Sequence, residues 1–205
     1  MKKVAVLSFA VAALVIAGAP AYAGCDSCKL AQTEDGWCDG CKVGYFDGVA
    51  IKSKKLFDAV AGKKVDPQAM KCASCVKAAK QDSACDHCGV AFAGGKAYTS
   101  KVAQTLALGK AAQPDKLACS MCQKNSKDDG WCDNCKVGLV GNRAFKDEQA
   151  YTRAAAARKV LLAAAKTAET CPNCAVAMVS DGTCSACKVS FKDGQKVSDK
   201  SKDDK

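Results

Sequence analysis

Aromatic side chains make up 6% of this 205-residue chain, and histidine occurs once. So few large rings argue against a single extensive core, because aromatic residues supply the largest buried areas. The lone histidine, His87, has no recurring Ser or Cys partner, and a general base needs a partner within hydrogen-bond reach. It reads as an incidental exposed side chain. None of the eight C-x-x-C pairs is followed by histidine, so haem attachment is excluded. Long apolar runs are missing too. Beyond the N-terminus, no stretch approaches the ~20 apolar residues of a membrane-spanning helix.

The N-terminus has a different character. Lys2 and Lys3 precede an uncharged run from Val4 to Ala17, and "APAYA" ends in small residues at the positions a signal peptidase reads. A secretory signal peptide is expected over 1–23, cut after Ala23, with an uncleaved anchor as the alternative. The protein is then exported, periplasmic or extracellular, with no transmembrane span in the mature chain. "YAGC" before Cys25 has some likeness to a lipobox, making a lipoprotein acylated at Cys25 a minority reading. Acylation would remove a cysteine that the repeats use.

What the chain does have is cysteine, 16 in all, a content typical of disulfide or metal scaffolds. The cysteines fall into four quartets, each spaced C-x2-C-x9-C-x2-C: Cys25, Cys28, Cys38, Cys41; Cys72, Cys75, Cys85, Cys88; Cys119, Cys122, Cys132, Cys135; and Cys171, Cys174, Cys184, Cys187. The first cysteines recur at intervals of 47, 47 and 52 residues. Such self-similarity marks a tandem array. The expected organisation is module 1 with its helix over 24–66, module 2 with its helix over 67–113, module 3 with a long helix over 114–168, module 4 over 169–197, and a polar tail over 198–205.

The rest of each unit repeats as well. Asp35, Asp82, Asp129 and Asp181 each stand three residues before a third cysteine, followed by Gly or Ser. This is turn chemistry rather than catalysis, because Asp bonds nearby backbone and Gly accepts positive φ. After each fourth cysteine an alternating pattern (Val43 and Tyr45; Val90 and Phe92; Val137 and Leu139; Val189 and Phe191) predicts a strand with one buried face. Asp47-Gly48, Gly94-Gly95, Gly141-Asn142 and Asp193-Gly194 suit two-residue hairpin turns. A second strand should end at Ile51, Tyr98, Phe145 and Val197. Ser53, Thr99 or Ser100, and Asp147 then cap helices. The third helix is the longest and alanine-rich, with Tyr151, Ala155, Leu162 and Ala165 as its packing stripe. Pro67 and Pro114 fall in the connecting loops.

Two C-x-x-C pairs joined by a short hairpin bring four sulfurs to one point, which is the demand of tetrahedral structural Zn2+. On these motifs each unit resembles a small zinc ribbon, a family of paired zinc knuckles on hairpins related locally to the rubredoxin iron site. The resemblance covers about 17–27 residues per repeat and leaves out the helices. It implies small α+β repeats: four zinc-ribbon-like β-hairpin modules linked by α-helices, each with a four-cysteine site, and four Zn2+ in all. The chain departs from the family's C-P-x-C-G pattern, since only Pro172 supplies the proline and only Gly89 the glycine. Trp37 and Trp131 are expected to cover the clusters.

Charge is consistent with metal. Removing Lys2 and Lys3 lowers the formal net charge from +10 to +8. Four sites of four thiolates and one dication each carry −2, or −8 together. Lys42, Lys136 and Lys188, each beside a final ligand, either offset that charge locally or coat a solvated face. Export speaks for the alternative, disulfides, which would staple small modules equally well. No catalytic constellation is present, and a thioredoxin-like pair should open a helix, whereas here every pair is expected to meet a hairpin. The chain is therefore expected to be a non-enzymatic, exported zinc repeat protein. It would act as a binding or scaffold module for an unknown protein or cell-envelope partner. Periplasmic sequestration of zinc or soft metals, or a disulfide-stapled repeat without metal, are the alternatives. Export argues against nucleic acid as a partner.

Overall fold

The computed structural model describes residues 25–113 and 116–197, so the signal peptide (1–23), Pro114 and the polar tail (198–205) lie outside the described residues. Module 1 runs α1 (Asp26–Glu34), β1 (Trp37–Cys38), β2 (Val43–Phe46), β3 (Val49–Ile51) and α2 (Lys54–Val60). Module 2 contains β4 (Lys63–Lys64), a 3-10 turn at Pro67–Ala69, α3 (Ala73–Lys80), β5 (Ala91–Ala93), β6 (Lys96–Tyr98) and α4 (Lys101–Ala107). Module 3 repeats this as β7 (Lys110–Ala111), α5 (Ser120–Asp128), β8 (Trp131–Cys132), β9 (Val137–Val140), β10 (Arg143–Phe145) and α6 (Glu148–Thr167). Module 4 is α7 (Pro172–Val179), β11 (Ser190–Lys192) and β12 (Gln195–Val197). The result is a small α+β fold with four small antiparallel sheets.

Every expected hairpin forms, and the second strands end at Ile51, Tyr98, Phe145 and Val197. Asp47-Gly48, Gly94-Gly95 and Asp193-Gly194 place both turn residues at positive φ, matching the twist of the flanking strands. Ser53, Ser100 and Asp147 cap α2, α4 and α6, each accepting from the N–H three residues on. None of the described helices is long and apolar enough to cross a membrane.

Four expectations are corrected. First, the opening C-x-x-C of each unit does not meet a hairpin: Cys25, Cys72, Cys119 and Cys171 are the N-caps of α1, α3, α5 and α7. A nine-residue gap accommodates two helical turns, and the recurring aspartate ends them with a left-handed backbone (φ 53°, 47°, 54° and 51°). Second, the strand after the fourth cysteine is not buried on one face only. All four residues of β2 are buried, because Val43 and Tyr45 face the cysteines while Phe46 faces the opposite way into a larger core.

Third, that larger core is shared. Phe46 and Leu56 of module 1, Tyr98 and Leu106 of module 2, Phe145 and Leu161 of module 3, and Val179 and Phe191 of module 4 belong to one buried cluster. Scarcity of rings did not prevent it, because alanines on α6 and α7 let helices approach closely and pack without bulk. Fourth, the fully buried stripe of α6 is Ala154, Ala157, Leu161 and Ala164; the expected Tyr151, Ala155 and Ala165 pack half-buried beside it against the same core, and only Leu162, 39% exposed, falls outside. Alanine on all sides of the helix left its phase unmarked.

The linkers interlock the array. β4 pairs antiparallel with β6 and β7 with β10, so each linker adds an outer strand to the next hairpin. Gly62 and Gly109, just before these strands, are close-approach points. A methyl on either would lie 2.6 Å from the Tyr98 ring or 2.5 Å from the Phe145 ring.

Candidate metal centres

Each quartet is built from two unlike arms. The first arm is a helix N-terminus, where the N-cap cysteine and the cysteine three residues on share a face. Backbone N–H groups there point at the sulfurs: the Cys174 N–H lies 3.4 Å from Cys171 Sγ. The second arm is a knuckle closed by backbone, as the Lys188 N–H donates to the Cys184 carbonyl at 2.8 Å and the Cys187 N–H to Cys184 Sγ at 3.3 Å. A knuckle of this kind needs a left-handed residue after its last cysteine. Gly89 (φ 69°) fills it in module 2, whereas Lys42, Lys136 and Lys188 adopt φ 54°, 51° and 57° without glycine. In these three modules a lysine thus takes the left-handed backbone that glycine would adopt without strain. All three lysines are exposed, and Lys136 Nζ turns to Asp133 at 3.5 Å.

The arms bring all four quartets together. In modules 1, 3 and 4 the four sulfurs lie within 4.8 Å of one another. In module 2, Cys72, Cys75 and Cys85 do so, and Cys88 Sγ stands 3.3 Å from Cys75. Contacts across the arms measure 3.7 Å for Cys25–Cys38, 3.9 Å for Cys119–Cys132, 3.9 Å for Cys171–Cys184 and 3.7 Å for Cys171–Cys187. A tetrahedron with ~2.3 Å arms has edges of about 3.8 Å. All sixteen cysteines are free thiols. His87 is exposed and stands outside the cluster.

Electrostatics follow the architecture. The backbone N–H of Cys28 draws Cys25 down to about 7, and that of Cys122 does the same for Cys119. Cys85 and Cys184 are held at about 7, chiefly by the N–H groups of Cys88 and Cys187. Burial pushes Cys28 and Cys122 well up, while neighbouring Cys88 and Cys184 push up Cys75 and Cys174. Each quartet therefore ionises one thiol readily and resists a second. A dication held by the four sulfurs would remove that resistance, because its attraction for each thiolate would outweigh the repulsion between them.

The tryptophans do not cover the clusters. Strand alternation sends Trp37 and Cys38 to opposite faces, as it does Trp131 and Cys132. Trp37 packs on Phe57 at 5.4 Å and Trp131 on Tyr151 at 5.7 Å. Between each pair lies a strand glycine, where a methyl on Gly44 or Gly138 would fall 2.3 Å from the Phe57 or Tyr151 ring.

The recurring aspartates are turn residues with a longer reach than expected. Asp35, Asp82, Asp129 and Asp181 each accept through Oδ1 from a hairpin-tip N–H twelve residues on, at 2.7, 2.9, 2.8 and 2.7 Å. Each ties the end of its helix to the tip of its hairpin and so sets the position of both arms. Two go further. Arg143 Nη2 pairs with Asp35 Oδ2 at 2.6 Å, and Arg158 Nη1 with Asp129 Oδ2 at 2.8 Å. Between these arginines lies Asp47, fully buried, with Arg143 Nε 3.6 Å and Arg158 Nε 3.8 Å from its carboxylate and the Asn142 N–H donating at 3.2 Å. Burial raises Asp47 to about 7 despite both arginines and that N–H. Nothing in the sequence marked Arg143 or Arg158 as partners of a residue about a hundred positions away.

Comparison of the chain with protein-family models, with curated proteins and with solved structures gave no match. The chain is defined by its own geometry: an α+β repeat protein with four cysteine clusters able to hold metal ions.

Proposed function

We propose that the protein is an exported zinc-binding repeat protein whose four metal centres are structural, holding a rigid scaffold for a protein or cell-envelope partner. The observation that carries this reading is the convergence of sulfurs from two separate arms in every repeat, four within 4.8 Å of one another in modules 1, 3 and 4, and three in module 2 with Cys88 3.3 Å from Cys75. Contacts of 3.3–3.9 Å between sulfurs of different arms fit the edges of one tetrahedron and fit two ~2.05 Å disulfide bonds poorly. Zinc suits an all-thiolate tetrahedral site with no vacant position. The zinc-ribbon likeness rests on the knuckle and hairpin and does not extend to the helical first arm. Folding and metal binding are coupled on this reading, since the small satellite cores around the quartets of modules 1, 2 and 3 contain few residues besides the cysteines.

A second reading, sequestration of zinc or soft metal ions, is favoured by one feature: Cys88, Cys135 and Cys187, the last ligand of three quartets, are exposed. Native mass spectrometry of the gently purified chain is expected to find four zinc ions. A metal-free chain of full mass, or one lighter by the hydrogens of eight disulfides, overturns the proposal. Retention of all four ions against a mild chelator supports the scaffold, and their ready release supports sequestration.

A further inference from the structure

Modules 1 and 4 carry the same two aspartates, one ending the first helix and one at the hairpin tip: Asp35 with Asp47, and Asp181 with Asp193. In both, Oδ1 of the first accepts the tip N–H at 2.7 Å, which leaves its Oδ2 and the tip carboxylate for other partners. Module 1 fills them with guanidinium groups. Arg143 bridges Asp35 and Asp47, and Arg158 approaches Asp47 from the other side. In module 4 the same two carboxylates border an open cleft of about 350 Å3 between α4, α6 and the hairpin. Val102 and Val160 contribute apolar wall, and Lys101 and Arg153 stand at the cleft as well. Among the described residues the cation paired with Asp181 is Lys101, at 3.9 Å and 82% exposed, and Asp193 has no ion pair.

We propose that this cleft is a binding site for a guanidinium group on a short alkyl stem, an arginine side chain presented by another protein. The molecule itself shows how the two-aspartate motif is satisfied, since in module 1 it takes a planar fork that reaches both carboxylates. A guanidinium does this with donors in fixed geometry, which an ammonium such as Lys101 does not supply. The valines offer the stem an apolar surface, as arginine stems take elsewhere. Displacing Lys101 costs little, because a long, exposed ion pair contributes little. A single arginine residue should bind with Kd about 1 mM, in keeping with a ligand of its size.

The test titrates the full-length purified chain, its metal content recorded, with N-acetyl-arginine amide while the methyl resonances of Val102 and Val160 are followed by NMR. The expected result is saturable shifts at both valines. Asp193→Asn and Asp181→Asn should each weaken binding at least ~5-fold, given the charge-assisted bonds removed. Asparagine tolerates the left-handed backbone and keeps the Oδ1 acceptor, so both variants retain the hairpin and their metal content reports on its integrity. N-acetyl-norleucine amide, with a stem and no cation, should not saturate. The proposal falls if no saturation occurs up to ~50 mM, far above the expected Kd, if both variants bind like the parent, or if norleucine amide matches arginine amide.

Discussion

Modules 1 and 4 share a quartet spacing, a hairpin and a pair of aspartates, yet they bury opposite ends. Module 1 keeps Cys28 and Cys38 in a small satellite cluster with Ala31, Val43 and Tyr45, and drives its hairpin tip into module 3. Module 4 places Cys174 and Cys184 directly in the common core and leaves its tip, Asp193, exposed. The same local motif thus supports the fold through its carboxylates in one place and through its cysteine cluster in the other. What decides is the surroundings. Module 1 meets the arginines of β10 and α6, whereas module 4 follows directly on α6 and lies against α2 and α6.

The contrast breaks most visibly at the cysteines. Cys184→Ser should cost about 4 kcal/mol, as loss of a metal site embedded in a core does, while Cys38→Ser at the matching position should cost roughly half as much. Thermal unfolding followed by circular dichroism reads the difference, and native mass spectrometry should count three metal ions in both. Equal losses of stability would mean that the satellite cores are as integral as the common one.

Next in size is the charge network. Arg143→Ala leaves Asp35 without its cation and Asp47 with Arg158 alone, at sites that water scarcely reaches, and should cost about 3 kcal/mol, the usual result of removing one partner of a buried pair. Lys101→Ala, at the exposed counterpart in module 4, should cost about 0.5 kcal/mol or less. Comparable values would show that the network contributes no more than a surface ion pair.

The smallest effect is the most specific. Burial raises Asp47 from its ordinary 3.8 to about 7, so folding favours its protonated form. Its contribution is fully present below the ordinary value and is lost as pH rises through about 7. On this account the thermal midpoint should fall by roughly 3 °C per pH unit between about pH 4 and 7 and level off above 7. Asp47→Asn should remove that slope, whereas Asp193→Asn should leave it intact. A parent chain with a flat profile between about pH 5 and 7 would show that the arginines hold Asp47 ionised.

Much of this was legible in residue order. The quartets, the hairpins, the second-strand ends at Ile51 and Phe145, and the caps Ser53 and Asp147 all follow from local chemistry, where spacing and turn preference act within a dozen residues. The helices of the first arms did not show, because "DSCKLAQTE" has only Cys28 and Ala31 as its buried positions and a cysteine, not a Ser, Thr or Asp, at its cap. Their stop signal was nonetheless present. Asp35 and Asp129 precede glycine and take the left-handed backbone of a helix end, which an Asp-Gly pair announces as readily as a turn. The common core and the Asp47 network were out of reach for another reason: residues such as Ala164 and Arg143 acquire their meaning from partners on other repeats.

The linker strands bear on how such an array can lengthen or shorten. Because β4 and β7 hydrogen-bond to the hairpin that follows them, a cut at Pro67 would strip module 2 of a strand laid down before the cut. Gly62 and Gly109 stand at equal points of successive units, each pressed against the aromatic ring that closes the next. The segment that copies or deletes in register therefore runs from one of these glycines to the next, 63–109. A splice there joins Gly62 to Lys110 and sets the ring of Phe145 where Tyr98 had been. The frame of such an exchange is 47 residues, with its seam under a ring; the third interval, which carries the 20-residue α6, is 52 and does not fit that frame.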